Sequence, residues 1–160
     1  MIFQASDMLP KADEWVYVCR EEDIQNENID KKLKNYVNSV AVISVDKLTE
    51  GQASTCLLAK EKINNKKELL IAASDNGMIW DESRFLRLKE ECDCLVWTFR
   101  NNQTVMEKPE GYGWVIVDSD DETVKNMSVK VPISDNPIKD HAVVGAFWFR
   151  EGNIFVEATE

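Results

Sequence analysis

The sequence predicts an α/β fold in which a mostly parallel sheet is joined by antiparallel strands in the last third. Three observations predict it. The first two thirds alternate short β-favouring runs with amphipathic stretches, the rhythm of strand–helix–strand crossovers. The segment ELLIAA, Glu68–Ala73, is nearly continuous in apolar content, as a strand covered on both faces would be. In the last third, strand-like runs follow one another across short acidic or Pro-containing turns, which suits antiparallel pairing.

Taken in order, Trp15–Cys19 is the first strand, followed by a polar, helix-compatible stretch from Glu21 to Tyr36. Ser39–Val45 is the second strand, with Val40, Val42, Ile43 and Val45. Thr49-Glu50-Gly51-Gln52 has the spacing of a capping box, and the helix it opens carries Ala53, Cys56, Leu57 and Ile63 mostly on one face. After ELLIAA, Asp81–Glu91 reads as a helix with Phe85, Leu86 and Leu88 inward, then Leu95–Phe99 as a strand. Tyr112–Val117, Val124–Val131 and His141–Phe149 are the remaining strands, and Asn153–Glu160 can open a final helix. In this register Val129 and Val131 face one way and Lys130 the other. Residues 1–160 read as a single domain.

Composition narrows the function. With 160 residues, 44% hydrophobic and 30% charged, the chain can bury a sizeable core. Its net charge of −10 disfavours a nucleic-acid backbone as partner, while a mononucleotide can still be held by local cations, a helix N-terminus and a metal ion. No apolar run approaches the about 18 residues of a membrane helix. The start MIFQASDMLPK lacks the basic and apolar regions of an export signal, so the expected location is the cytoplasm. The four cysteines, Cys19, Cys56, Cys92 and Cys94, and the single histidine, His141, do not form zinc-ligand pairs. Buried reduced thiols are expected. A homo-oligomer is compatible with everything above.

In open parallel sheets, ligands bind outside the carboxyl ends of the strands. Two segments meet that description. Asp46–Gly51 leads into a helix whose N-terminus favours negative charge, with little bulk at Gly51; a capped connection without ligand is the alternative. Ser74-Asp75-Asn76-Gly77 ends a buried strand, where a carboxylate can hold Mg²⁺ that also grips phosphates; plain turn chemistry is its alternative. Asp118-Ser119-Asp120 has the spacing of a metal-binding pair in a glycosyltransferase, and it also fits a solvated hairpin tip.

LLIAASDNGMIWD resembles the segment of sugar-1-phosphate nucleotidyltransferases in which a strand ends in an Asp-Asn pair. KLTEGQASTCLLA resembles the family's glycine-plus-small-residue stretch against the nucleotide base, which points to Gly51 and its neighbour Glu50. Gly111-Tyr112-Gly113-Trp114 resembles the Tyr-Gly turn at the sugar. SVKVPIS followed by DHAVVGAFWFREG resembles the Lys-Pro stretch and the glycine-plus-aromatic strand after it. The similarity runs in order over nearly the whole chain and is strongest to nucleotidyltransferases of capsule and lipopolysaccharide biosynthesis. It covers the central portion of such an enzyme, without the N-terminal glycine-rich loop and the C-terminal part.

The resemblance implies a Rossmann-like three-layer α/β/α fold, like that of nucleotide-diphospho-sugar transferases. It implies Asp75 as a Mg²⁺ ligand, Lys130 at the sugar phosphate, Glu50 and Gly51 at the nucleotide, and Tyr112, Gly113 and Gly145 at the sugar. The implied partners are a nucleoside triphosphate and a sugar-1-phosphate, and the implied cofactor is Mg²⁺. The literal string Glu107-Lys108-Pro109 precedes the Tyr-Gly turn, so chain order favours Lys130 over Lys108. On its own, Lys130 is more often just a solvated strand lysine. An isolated piece of this kind is expected to be inactive, and a non-catalytic sugar-nucleotide-binding module is the rival from another class.

Overall fold

A computed structural model describes residues 1–118 and 122–160. In chain order the elements are α1 (Ile2–Asp7), β1 (Trp15–Arg20), α2 (Glu21–Glu27), α3 (Ile29–Tyr36), β2 (Val40–Val45), α4 (Gln52–Leu57), α5 (Lys60–Ile63), β3 (Leu69–Ile71), α6 (Glu82–Glu91), β4 (Cys94–Phe99), β5 (Gly113–Val117), β6 (Val124–Val129), β7 (His141–Phe149) and α7 (Gly152–Thr159). The α/β class is therefore observed, with parallel and antiparallel pairing both present. Among the described residues no helix is long and apolar enough to cross a membrane.

The chain divides into two compact units, one of Met1–Leu95 with Trp148–Glu160 and one of Val96–Phe147. In the first, β1 and β2 pair in parallel from Trp15↔Val40 to Arg20↔Val45. Parallel neighbours need a crossover, and α2 with α3 supplies it. The expected single polar stretch is broken at Asn28, which adopts a left-handed φ of 50° and ends α2 while opening α3. Asparagine tolerates that conformation better than most residues. Leu33, fully buried, is the apolar anchor of α3. Ile71 of β3, Ala59, Ile63, Trp148, Phe155 and Val156 are also buried in this unit.

The capping box is not formed. Gly51 is the N-cap of α4, and no side chain caps it. The Thr49 hydroxyl is engaged instead with the Gly51 carbonyl (3.2 Å) and the Thr55 hydroxyl. Helix α6 begins as expected, because the Asp81 carboxylate accepts from the Arg84 N–H at 3.1 Å. Leu86 is exposed, contrary to the inward reading, whereas Phe85 and Leu88 are half-buried.

In the second unit β5 lies between β6 and β7, antiparallel to both. Trp114 pairs with Ser128 on one side and Ala142 on the other. Val105, Trp114 and Ala142 are buried together, with Phe99, Tyr112 and Ile138 packed against them. Strand β6 stops at Val129, two residues short of expectation, because Lys130 takes a φ of 62°. That backbone turn abolishes the alternation predicted around Lys130, and Val129 and Val131 are both largely exposed.

Candidate functional site

The carboxyl ends of β1 and β2 open onto a concavity of about 460 Å³. Arg20, from the last position of β1, Gln25 of α2 and the run Asp46-Lys47-Leu48 after β2 help to line it. Arg20 is held by Asp23, donating from Nε to Oδ2 and from Nη2 to Oδ1, each at 3.0 Å, and it also pairs with Glu22. Bonded first to Asp23 and charge-paired with both carboxylates, its guanidinium is pushed above the ordinary arginine range. The predicted segment Asp46–Gly51 thus contributes its first half to the hollow. Glu50 and Gly51 lie just beyond it and are exposed, and a Cβ at Gly51 would meet open space. Arg20 and Gln25 were not singled out in the sequence, although the strand-end rule applied to Trp15–Cys19 points directly at the residue that follows.

Asp75 lies in the irregular segment after β3, on the rim of a smaller cavity of about 190 Å³. Gln4, Ala5 and Met8 of α1 and its C-cap face it there, together with Gly77. The carboxylate is exposed and makes no hydrogen bond or ion pair with any described residue. Among the described residues no three His, Cys, Asp or Glu side chains gather around a common point. An enclosed all-protein metal cage is therefore absent among them. A free carboxylate at a cavity rim does fit Mg²⁺, which binds through one or two carboxylates and takes its other ligands from phosphates and water.

The second unit brings together most of the residues assigned to the sugar side. The Lys130 N–H donates to the Tyr112 carbonyl at 3.0 Å, and Gly113 stands opposite Val129. A Cβ on Gly113 would lie 3.5 Å from Val143, so this glycine rests against β7 two residues before Gly145. Gly145 has a φ of 91°, a left-handed backbone within a strand that glycine alone adopts readily. Such positions in strands mark bulges or close approaches.

The Tyr112 ring is not a free platform. It meets Phe99 and Trp114 edge-on, with centroids 5.7 and 6.0 Å away, and is half-buried. The Lys130 ammonium is exposed and pairs with no described residue. Lys108-Pro109-Glu110-Gly111 folds into a tight turn whose Pro109 carbonyl accepts from Trp114 Nε1 at 3.2 Å. Asp118 is ion-paired to Lys125 at 3.4 Å; its proposed metal-binding partner Asp120 lies outside the described residues.

The four cysteines are free. Cys19 is buried, Cys56 and Cys92 are half-buried, and Cys94 is exposed, which corrects the expectation that all are interior. Burial pushes the Cys56 thiol up to about 11.

No protein-family model matches the sequence, and no curated protein matches it. Solved structures do match in fold. A nucleoside-diphosphate-sugar pyrophosphorylase from Vibrio cholerae superposes with a TM-score of 0.70 at 15% identity, over 98% of this chain and 61% of its own. HddC from Yersinia pseudotuberculosis gives 0.64 at 15%, over 97% and 62%. A CMP:2-keto-3-deoxy-manno-octonic acid synthetase complexed with CTP gives 0.61 at 11%, over 99% and 64%. The chain spans about three fifths of the length of these structures. Across nearly its whole length, this chain has the fold of the nucleotide-diphospho-sugar transferases.

Proposed function

We propose that this chain forms part of a sugar-1-phosphate nucleotidyltransferase, which converts a nucleoside triphosphate and a sugar-1-phosphate into a nucleoside-diphosphate sugar and pyrophosphate. The observation that carries the reading is the convergence of Tyr112, Gly113 and Lys130 at the head of β5, an exposed cation beside a glycine turn. These are the residue types a phosphorylated sugar needs, and they lie in a chain with the fold of sugar-nucleotide enzymes.

In this reaction an oxygen of the sugar-1-phosphate attacks the α-phosphorus of the triphosphate. A new P–O bond forms, the bond to the β-phosphate breaks, and pyrophosphate leaves with the electron pair. Such transfers need little covalent help from protein; positioning and charge neutralisation dominate. Lys130 would hold the attacking phosphate by a charge-assisted hydrogen bond. Gly145 would let the sugar come close to the backbone, Gly113, packed against Val143, would frame that approach, and Tyr112 would fix the turn before it through its packed ring. Glu50 and Gly51 would meet the nucleotide. Asp75 is the residue that would hold Mg²⁺, which when bound neutralises phosphate charge. The substrates imply the cytoplasm, where nucleoside triphosphates are supplied.

Calorimetry with the four nucleoside triphosphates, common sugar-1-phosphates and nucleotide sugars, each with Mg²⁺, tests the assignment. Saturable binding of at least one nucleotide sugar is expected. Binding of product by a complete gene product that never releases pyrophosphate would favour a non-catalytic module. Failure of every nucleotide and sugar phosphate to bind would remove the reading.

A further inference from the structure

We propose that Met8 is a positioning residue for Asp75: its side chain and its carbonyl together clamp the irregular segment that carries the carboxylate. The inference rests on the proposed role of Asp75 as a Mg²⁺ ligand. Residues 74–80 belong to no helix or strand, so no backbone ladder fixes the direction of Asp75. Two contacts from the end of α1 take that place. The Met8 thioether lies over the backbone of Gly77, where a Cβ would fall 2.4 Å from Sδ and 3.4 Å from Cε. The Met8 carbonyl accepts a hydrogen bond from Trp80 Nε1 at 3.0 Å.

One contact thus falls two residues after Asp75 and the other five. Trp80 is itself held edge-on by Phe85 (5.6 Å), and Phe85 by Trp148 (6.1 Å), so the clamp is continuous with packed aromatic rings. Met78, between the two contacts, is buried. Asp75 and Met8 share the rim of the same cavity. A methyl group at position 77 would fall where the sulfur lies, so the flexible Met8 side chain would have to swing aside.

The geometry makes a reciprocal prediction. Met8→Ala vacates the space above Gly77 and loosens the turn. Gly77→Ala drives the thioether away and loosens it in another manner. The double variant puts the new methyl group into the space the sulfur left, and recovers the fit.

Mn²⁺ binding in the presence of each nucleoside triphosphate, followed by electron paramagnetic resonance, is the direct readout. Hydrogen exchange at the Trp80 indole N–H, which donates to the Met8 carbonyl, is the second. Each single variant is expected to weaken Mn²⁺ binding about tenfold, the usual cost of losing a group that orients a metal ligand. Met8→Ala is also expected to speed exchange at that N–H, and the double variant to restore both properties. If Met8→Ala does not fold, Trp80→Phe, which keeps an aromatic ring and removes the N–H donor, takes its place. Wild-type Mn²⁺ affinity in both single variants, with Asp75→Asn losing it, overturns the clamp alone. Unchanged Mn²⁺ affinity in Asp75→Asn overturns the clamp together with the metal role it serves.

Discussion

The Lys130 N–H donates to the Tyr112 carbonyl at 3.0 Å while Lys130 itself sits at a φ of 62°. This bond closes the end of the β5–β6 pair and turns a strand lysine into an exposed corner. A left-handed backbone costs a non-glycine residue about 1–2 kcal/mol, so the corner is held against a local preference. Strain of this kind concentrates where a side chain has to be aimed.

Backbone and charge at this corner can therefore be separated. Lys130→Gly removes the ammonium and relieves the strain, while adding chain entropy to the unfolded state. Its stability is expected to stay within about 1 kcal/mol of wild type. Lys130→Gln keeps the strain and removes only the charge. Both variants are expected to weaken sugar-1-phosphate binding at least about tenfold, the worth of one hydrogen bond to a charged group. Calorimetry alongside thermal unfolding checks this. Full sugar-phosphate affinity in Lys130→Gln would place the phosphate elsewhere.

Glu68 gives a pH-dependent prediction. Burial pushes its carboxyl up, but hydrogen bonds from Lys89 (2.8 and 2.9 Å) and Trp148 Nε1 (3.0 Å), with the charges of Lys89 and Arg150, hold it below the ordinary carboxylate range. The Lys89 ammonium also lies 5.8 Å from the Trp148 ring centroid. A carboxyl lowered by folding stabilises the protein fully above its unfolded pKa and loses that contribution as pH falls through the folded one. The Glu68 side chain is 53% exposed, so solvent screening limits the effect to below about 1 kcal/mol. Unfolding of Glu68→Gln should show a shallower loss of stability on acidification below about pH 4.5 than wild type. Parallel pH profiles would show that these bonds contribute nothing.

Gly152 opens α7 where the chain crosses closely over the end of α5. A Cβ there would lie 1.9 Å from the Ile63 carbonyl oxygen, a backbone atom that cannot swing aside. Gly152→Ala should cost about 3 kcal/mol, as overpacking does, and lower the melting temperature by about 6–12 °C. A change under about 1 kcal/mol would mean the two segments move apart easily.

Much of this architecture is written in the sequence as hydrophobic pattern. His141–Phe149 appears as a strand over its full predicted range, because nine consecutive strand-compatible residues admit few other readings. Trp15–Cys19 and Val40–Val45 likewise form the parallel pair that the strand–helix–strand rhythm implies. What pattern does not show is where the backbone turns left-handed on a non-glycine residue. Asn28 splits one expected helix and Lys130 shortens one expected strand, each by a single dihedral angle. The Thr49 motif misleads because its hydroxyl donates to the Gly51 carbonyl and meets the Thr55 hydroxyl, leaving the helix without a side-chain cap.

Among the candidate residues, Asp75 is marked by its place at a strand end, while Gly113 and Lys130 are marked only by the order of the resembling segments. Arg20 and the Met8–Gly77 contact left little trace. Arg20 lines the larger cavity only because β1 ends beside β2, and Met8 lines the smaller one only because α1 returns to the segment after β3. Contacts between distant segments have no local signature.

The most direct measurement is pyrophosphate release by the complete gene product, wild type beside Asp75→Asn, with nucleoside triphosphate, sugar-1-phosphate and saturating Mg²⁺. Turnover by the wild type and a fall of about 10²-fold or more in kcat for the variant are expected, as lost electrostatic stabilisation at a phosphoryl centre usually produces. Equal kcat in the two proteins would take Asp75 out of the mechanism, and absence of turnover by the wild type would contradict the nucleotidyltransferase assignment itself.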